Sequence, residues 1–267
     1  MKIAALQMVS TPDLARNLAS ARALLERAAQ SGAKLAALPE YFCYMGQVDT
    51  DKLALAEEEG TGPIQQMLST AARELGLWII GGTLPIRTAD PARVRNSCCV
   101  FAPDGTLAAR YDKIHLFCYD NGRERYDEGR VLEAGNTPVA VDAAGLRVGL
   151  SVCYDLRFPE LYRAMGVCDL LSVPAAFTFT TGEKHWELLL RARAVENQCY
   201  VIAAAQGGRH ENGRRTWGHS MIVDPWGEVL ACVAEGEGVA LALAEFDPAR
   251  LRQVREQLPA LEHRKIV

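Results

Sequence analysis

The order of apolar and polar residues predicts alternating strands and helices from the first residues onward. An apolar run at residues 2–9 is typical of a strand. The apolar residues between Leu14 and Ala28 then recur on one face of a helix, which we expect to end near Ser31. A second apolar run at residues 34–38 returns as a strand, so the chain opens with a strand–helix–strand unit.

The same pattern recurs along the rest of the chain and predicts an α/β protein. We expect helices at residues 63–76, 183–197 and 248–258, strands at 77–84, 146–153, 170–174, 200–206 and 238–246, and hairpins at 94–111 and 217–233. Residues 117–135 are charged and show no period, which indicates an exposed loop over an active site. The two halves share an element order, which favours two sheets packed face to face with helices outside. A single doubly wound sheet fits nearly as well.

Composition and charge narrow the classes of function. The chain has 267 residues, of which 49% are hydrophobic and 23% charged, and this favours one globular domain over residues 1–267. The net charge of −4 argues against nucleic acid as the main partner. Because the N-terminal run turns polar at Ser10, we expect no signal peptide and no membrane span, and hence a cytoplasmic protein with no membrane partner.

The eight cysteines are scattered and lie mostly within apolar runs. Such cysteines are usually small core residues in a reducing compartment. No pair has CxxC spacing, and no cluster of histidines and cysteines has the spacing of a zinc site. The sequence therefore indicates no disulfide framework, no metal and no cofactor.

Three reactive residues stand where predicted strands end. Cys153 follows the apolar run that begins at Leu146, and the segment RFPEL after it is typical of a helix start, so the thiol lies at a strand-to-helix elbow. Backbone N–H groups at such an elbow can lower the pKa of a thiol and bind an oxyanion. Glu40 and Lys113 also follow strands, and chemistry in α/β sheets gathers at the carboxyl ends of strands. We therefore expect these three side chains to meet.

The residues alone leave open which group activates the thiol. A cysteine nucleophile usually takes a histidine partner, and any of the five histidines could approach it. A carboxylate in a dry pocket does the same work, because its pKa rises and it accepts the thiol proton, while an ammonium stabilises the thiolate and an oxyanion. Glu40 and Lys113 fit those two roles. Two residues beyond the nucleophile, Asp155 is predicted to form an ion pair with Arg157 that shapes the elbow.

Three separated motifs carry a resemblance to a known family. The segments LAALPEYF around Glu40, RYDKIHLF around Lys113 and GLSVCYDLRFPELYR around Cys153 resemble the Glu-Lys-Cys signatures of the nitrilase superfamily of carbon–nitrogen hydrolases. The stretch from His185 to Gly227 is most similar to the deaminated glutathione amidase branch of that superfamily, with the ω-amidases next. The resemblance covers nearly the whole chain.

The resemblance implies a four-layer α-β-β-α sandwich that forms a homodimer, with the C-terminal segment 258–267 packed across the interface. It implies Glu40 as the general base, Lys113 as the cation that stabilises an oxyanion and Cys153 as the nucleophile. The second glutamate of the family, which positions the lysine and the substrate, corresponds to Glu128.

The resemblance also implies a set of substrate-binding groups. The backbone N–H of Tyr154 would complete the oxyanion hole, and Phe177 and Thr178 would line the pocket. Charge adds a further expectation, because an acidic protein that handles an anionic acyl compound must gather local cations. Two arginines precede Glu128 and three precede the TWGHS segment, and we expect some of them to reach the pocket mouth: Arg123, Arg125, Arg209, Arg214 and Arg215.

The implied activity is that of a thiol amidase without a cofactor. Such an enzyme hydrolyses a small carboxylate-bearing amide to acid and ammonia through a cysteine thioester, and deaminated glutathione is the favoured substrate. One alternative is an ω-amidase acting on α-ketoglutaramate, and another is a hydrolase of N-carbamoyl amides or nitriles. Two alternatives from other classes are an inactive scaffold protein and a redox thiol protein.

Overall fold

The computed structural model describes residues 1–234 and 238–265. The strands, labelled β1 to β17 in chain order, are Lys2–Gln7, Ala33–Ala37, Trp78–Ile80, Leu84–Arg87, Val94–Phe101, Leu107–Asp112, Cys118–Asp120, Arg125–Asp127, Val139–Ala143, Leu146–Leu150, Leu170–Ser172, Tyr200–Ala203, Gly207–Arg209, Arg215–Trp217, Met221–Val223, Val229–Cys232 and Ala240–Glu245. The helices, labelled α1 to α5, are Leu14–Gln30, Pro63–Leu75, Pro159–Ala164, Phe179–Asn197 and Pro248–Gln257. Short 3₁₀ helices lie at Asp49–Leu55, Glu128–Arg130 and Cys153–Arg157.

Most strands belong to one of two sheets. The first sheet has the order β17-β1-β2-β3-β5-β4, with β6 also paired to β5, and the second has the order β16-β15-β12-β11-β10-β9. Two small hairpins, β7 with β8 and β13 with β14, stand apart from both sheets. The prediction of two sheets is confirmed, and the alternative of a single doubly wound sheet is wrong.

Alternating side chains of β1 show how the four layers stack. Ile3 and Ala5 point into the core between the two sheets, whereas Ala4 and Leu6 point the other way, into the core beneath α1 and α2. The same core cluster continues onto the far side of the second sheet, where α4 buries Trp186. Because successive strand residues face opposite sides, a strand covered on both faces is apolar throughout. The layers therefore follow the predicted order of helix, sheet, sheet and helix.

The strand directions bring three loops to one edge of the molecule. The pairs β1–β2, β2–β3, β10–β11 and β11–β12 are all parallel, so their carboxyl ends lie together within each sheet. Glu40 follows β2, Lys113 follows β6 and Cys153 follows β10. The packing of the two sheets places these loops against each other, as the residues below show.

The predicted strand at residues 77–84 is instead two strands, β3 and β4, separated by a turn at Gly81 and Gly82. Gly82 has a φ of +56°, and a Cβ atom added there would lie 2.2 Å from the carbonyl oxygen of Pro39. Glycine adopts that conformation without strain, and only glycine allows that approach. After the turn, the Thr83 hydroxyl accepts a hydrogen bond of 2.9 Å from the Tyr41 N–H. The turn therefore fixes the backbone on both sides of Glu40.

Residues 117–135 are more ordered than predicted. They contain the β7–β8 hairpin followed by the 3₁₀ helix Glu128–Arg130, and their strands were missed because each has only three residues. In the hairpin of β9 and β10, only the second strand was predicted.

The start of α4 differs from the prediction. This helix begins at Phe179 with the Thr178 side chain as its N-cap, four residues before the predicted start. The cap residue is thereby held at the same edge as Cys153.

Two predictions about the whole chain stay predictions. The single domain over residues 1–267 includes residues 235–237, which lie outside the described part of the chain. Within the C-terminal segment expected to cross a dimer interface, residues 266–267 also lie outside it. Among the described residues, no helix is long and apolar enough to cross a membrane.

Candidate active site

Cys153 occupies the elbow that the sequence predicts. It begins the 3₁₀ helix Cys153–Arg157, and its backbone has a φ of +50°. Its N–H donates a hydrogen bond of 2.9 Å to the carbonyl oxygen of Pro174, at the end of the neighbouring strand. A left-handed conformation is uncommon for a residue with a side chain and often marks a functional position. Here it turns the thiol toward the strand ends.

The buried carboxylate of Asp155 holds the elbow in place. One oxygen accepts hydrogen bonds from the Val152 N–H at 2.8 Å and the Tyr111 hydroxyl at 2.7 Å, and the other contacts the backbone N–H and Nδ1 of His115 at 3.0 and 2.7 Å. The predicted ion pair with Arg157 is wrong, since that guanidinium lies over the rings of Tyr154 and Phe177 instead. The elbow is therefore shaped by hydrogen bonds to one carboxylate.

Lys113 lies between two glutamates. Its Nζ is 2.9 Å from Oε1 of Glu40, and 2.7 and 3.0 Å from Oε2 and Oε1 of Glu128. The lysine side chain is fully buried, and so is nearly all of Glu40. A buried ammonium is stable only when it is paired and hydrogen-bonded, and two carboxylates meet that need here.

Each glutamate has further donors that fix its orientation. Glu40 accepts from the Asn96 side chain at 2.9 Å on Oε1 and from the Ala176 N–H at 2.9 Å on Oε2. Glu128 accepts from the Tyr41 hydroxyl at 2.9 Å and from the Phe117 N–H at 2.7 Å. Sequence reasoning missed Asn96, although a polar side chain inside the apolar strand β5 was a usable signal. It also missed Tyr41, which stands next to Glu40 within the LPEYF motif.

The charges around Lys113 shift the pKa values of both glutamates, in opposite directions. Burial raises the pKa of Glu40, and the nearby Lys113 offsets this only in part. Burial also disfavours the ionised form of Glu128, but the charge and hydrogen bonds of Lys113 outweigh it and lower that pKa. For Lys113, burial is outweighed by the two carboxylates, and its pKa is well above the usual range. Glu128 is therefore the permanent counter-ion of Lys113, and Glu40 is the carboxyl group whose proton can be exchanged.

The pKa of the Cys153 thiol is raised, whereas the sequence suggested that the elbow would lower it. Burial is the main cause, the negative charge of Glu40 adds to it, and Lys113 opposes both. Cys153 is 8% exposed, so water does little to stabilise its ionised thiolate form. A thiol with a raised pKa needs a base to become a nucleophile. Glu40, which interacts with this thiol, is the base within reach.

None of the five histidines, all of which the structure describes, lines a pocket at Cys153. His115 is bound to Asp155 and stacks on Phe158 at 3.8 Å, and His210 is held between Ser10 and Thr216. The alternative of a histidine partner for the thiol is therefore wrong. Among the described residues, no group of three histidines, cysteines or carboxylates is arranged to hold a metal ion.

Cys153 lines two neighbouring pockets that open to solvent, a larger one and a smaller one. The larger pocket is lined by Glu40, Tyr41, Met45, Asp49, Lys52, Phe117, Tyr126, Asp127, Glu128, Val131, Cys153, Ala176, Thr178, Arg214, Arg215 and Thr216. The smaller one is lined by Phe117, Cys153, Tyr154, Arg157, Ala176, Phe177, Thr178 and Thr181. The thiol therefore stands where two pockets meet, which suits a substrate with groups on both sides of a scissile bond.

The predicted substrate-binding residues divide between these pockets. Thr178 lines both, and Tyr154 and Phe177 line the smaller one. Of the five arginines, Arg214 and Arg215 line the larger pocket, while the other three line neither. Lys52, which lies in the 3₁₀ helix Asp49–Leu55, was missed, because a lysine in a charged segment reads as a solvated surface residue.

Comparison with known proteins identifies the family of this chain and agrees with its fold. The family model described as carbon–nitrogen hydrolase matches residues 2–256. A deaminated glutathione amidase of Synechocystis is 45% identical over 99% of this chain and 98% of its own length. An omega-amidase of Xenopus laevis is 40% identical over 99% of this chain and 95% of its own length. Among solved structures, the NitFhit protein of C. elegans superposes with a TM-score of 0.88 at 38% identity.

The NitFhit match covers 99% of this chain and 65% of that protein, so this chain corresponds to about two thirds of it. A double-sheet fold that gathers a thiol, two carboxylates and an ammonium at its strand ends is that of a nitrilase-superfamily enzyme. The chain belongs to the carbon–nitrogen hydrolase family. The predicted superfamily, fold and enzyme class are thereby confirmed.

Proposed function

We propose that this protein is a thiol amidase in which Cys153 forms a thioester with the acyl group of a small amide. The observation that carries the proposal is the position of the Lys113 ammonium, held between Glu40 and Glu128 beside the thiol. A base, an oxyanion-stabilising cation and a nucleophile in one partly dry pocket are the parts that acyl transfer needs.

In the acylation half-reaction, Glu40 takes the proton of the Cys153 thiol and the thiolate attacks the amide carbonyl carbon. The carbonyl oxygen becomes an oxyanion, which the charge of Lys113 and the backbone N–H of Tyr154 stabilise. The N–H of Tyr154 suits this role because the first N–H groups of a helix have no partner within the helix. When the tetrahedral intermediate collapses, the C–N bond breaks and Glu40 gives its proton to the departing nitrogen.

In the deacylation half-reaction, water attacks the thioester. Glu40, again a carboxylate, takes a proton from the water as the new C–O bond forms. The C–S bond then breaks, and the thiolate recovers the proton from Glu40. The net reaction consumes one water and releases one carboxylic acid and one amine or ammonia. A single carboxyl group thus serves as base, acid and base in turn, which suits the raised pKa of Glu40.

For the substrate, we favour deaminated glutathione over α-ketoglutaramate. The two compounds share an acyl group and differ in the leaving group, which is a dipeptide in the first and ammonia in the second. The Synechocystis relative named for the first is 45% identical, against 40% for the Xenopus omega-amidase. Arg214 and Arg215 in the pocket wall supply positive charge for the carboxylates of a peptide-like group. An ω-amidase is the second candidate.

We also propose a cytoplasmic homodimer. All eight cysteines are free, as expected in a reducing compartment. Leu188 and Val195 of α4, with Trp226 of the adjoining β15–β16 turn, leave large apolar side chains at least half exposed. Such surfaces favour association. Sedimentation velocity at micromolar concentration tests the assembly, and a monomer alone would contradict it.

The test of the chemistry is mass spectrometry of the intact protein during turnover. An amidase shows an acyl adduct, which should disappear in Cys153→Ala together with all hydrolysis. Cys232→Ala, which removes an exposed thiol, is the matched control and should change neither. A sulfenic acid or disulfide on Cys153 would favour the redox alternative, and the absence of any adduct would favour a scaffold. Kinetics on deaminated glutathione and α-ketoglutaramate, side by side, decide the substrate.

A further inference from the structure

Lys52 is a cation in the wall of the larger pocket. It belongs to the 3₁₀ helix Asp49–Leu55, and its Nζ lies 4.7 Å above the centre of the Tyr41 ring. The hydroxyl at the other end of that ring donates to Glu128, the counter-ion of Lys113. One aromatic ring therefore separates Lys52 from the proposed catalytic groups.

The other cations near the pocket have contacts of their own. Lys113, which lies behind the pocket wall, is bound by two glutamates, and Arg214 binds Asp49 at 2.6 Å. The Arg215 guanidinium lies 3.5 Å from the centre of the Phe179 ring. Within the described part of the chain, Lys52 makes no hydrogen bond and no ion pair. Arg215 shares this lack of a carboxylate partner, but Lys52 is the one of the two that lies on Tyr41, the residue that binds Glu128.

Lys52 is half-buried in the pocket wall, and an ammonium with little water and no carboxylate partner is costly. Burial lowers the pKa of Lys52, and the more distant charges of Glu128 and Asp49 offset this only in part. Asp49 forms an ion pair with Arg214. Among the carboxylates that line the pocket, Asp127 is the one that forms no ion pair with a described residue. An anion bound at Lys52 would supply the missing partner. Cys153 and Lys52 line the same pocket, so one small molecule can contact both.

From this arrangement we infer that Lys52 is a specificity-determining residue that binds a carboxylate of the substrate while the amide carbonyl lies at Cys153. The inference rests on the proposed amidase function and adds the residue that selects an amide carrying a carboxylate. That carboxylate has two possible sources, the acyl group and the leaving group. If the acyl group supplies the carboxylate, Lys52 contributes to binding of any amide with that acyl group. If the leaving group supplies it, Lys52 contributes only to binding of peptide-like amides.

The first experiment compares glutaramate, which carries a carboxylate, with pentanamide, which has the same chain length and no charge. Losing one charge-assisted contact should lower the ratio of their kcat/KM values by about 10–100-fold in Lys52→Met. Lys52→Arg should retain most of the ratio because it retains the charge. Lys34→Met, the same change at an exposed lysine of β2, is the control and should leave the ratio unchanged.

The ratio separates binding from positioning. If Lys52 acted only by supporting Tyr41, Lys52→Met would slow glutaramate, pentanamide and the two proposed substrates by the same factor, which would overturn the inference. The source of the carboxylate follows from the same variant with the two proposed substrates. A loss on both deaminated glutathione and α-ketoglutaramate assigns the acyl carboxylate, and a loss on the first alone assigns the leaving group.

A second experiment does not depend on turnover. Calorimetry measures the Kd of glutarate, a dicarboxylate without an amide, for Cys153→Ala and for the double variant Cys153→Ala, Lys52→Met. The double variant should bind about 10–100-fold more weakly. Equal Kd values would refute the carboxylate site even if the enzyme is an amidase. Weaker binding with no amide hydrolysis by the unmodified protein would instead keep the site and refute the proposed function.

Discussion

The carboxylate of Asp155 and the hydroxyl of Tyr111 form a buried hydrogen bond of 2.7 Å that joins the two sheets. Asp155 lies two residues after Cys153, and Tyr111 lies two residues before Lys113. The same carboxylate binds Val152 and His115, on the other sides of the thiol and the ammonium. One side chain that touches no substrate therefore sets the distance between the proposed nucleophile and its oxyanion-stabilising cation.

We expect Asp155→Asn to lower kcat by up to about 10²-fold, because small misplacements of reacting groups have effects of that size. An amide can accept from only one side, so buried donors lose partners at a cost of about 1–3 kcal/mol in unfolding free energy. Steady-state kinetics measure the change in kcat, and denaturant unfolding measures the change in the free energy of unfolding. The control is Asp142→Asn, at an exposed carboxylate of β9. Unchanged kcat in a destabilised Asp155→Asn protein would show that the carboxylate serves stability alone.

Lys113→Met should reduce kcat by about 10²–10³-fold, the usual cost of removing one donor to an oxyanion. Methionine keeps much of the side-chain length and removes the charge between Glu40 and Glu128. Steady-state kinetics give the effect, with Lys34→Met as the same substitution at an exposed site. A loss smaller than about tenfold, which corresponds to roughly 1.4 kcal/mol, would place Lys113 outside the catalytic groups.

In a plot of kcat/KM against pH, the midpoint of the acid limb should lie above about pH 4.3, which is the ordinary pKa of glutamate. The sign follows from Glu40, whose pKa is raised by burial and which must be ionised to take the thiol proton. Activity should therefore be low below the raised pKa and increase as pH rises through it. A pH–rate profile of the wild type tests this, with folding followed at each pH. A limb below about pH 4.3 would assign it to Glu128, whose pKa is lowered.

Gly82→Ala should be far more damaging than Gly76→Ala, although both glycines have a positive φ, +56° and +59°. Each substitution costs about 1–2 kcal/mol in backbone strain. At Gly76 a Cβ atom meets nothing within 4 Å, whereas at Gly82 it meets the Pro39 carbonyl. The displaced Pro39 should carry Glu40 with it, so kcat should fall only in Gly82→Ala. Equal effects on unfolding and kcat would show that the close approach does not matter.

Much of the site could be predicted from the sequence because parallel strands end at a common edge. Glu40 and Cys153 each follow an apolar run and Lys113 follows the second arm of a hairpin, and the rule that chemistry gathers at strand ends brings them together before any contact is known. The groups that orient them were not predictable in the same way. Asn96 contributes from the middle of a strand, and Tyr41 from a residue whose φ of +55° no local pattern indicates.

Two errors have a common physical cause, which is burial. The elbow suggested that the pKa of the Cys153 thiol would be lowered. The loss of water around this thiol raises its pKa by more than the local N–H groups lower it. Likewise, the charged segment around Lys52 suggests a solvated side chain, yet in the fold this lysine lines the pocket at Cys153. Burial depends on which distant elements pack together, so a local reading of residues cannot supply it.

The pairing of β1 with β17 has a consequence for how this protein is made. The partner of Lys2 is Glu245, and every residue of β1 lies against one from the end of the described chain. While the ribosome is still adding the intervening residues, one edge of β1 exposes its backbone to water and to other nascent chains. The first sheet therefore reaches its full width only after nearly all of the polypeptide has been synthesised, and a chaperone that shields β1 during translation would raise the yield of native protein.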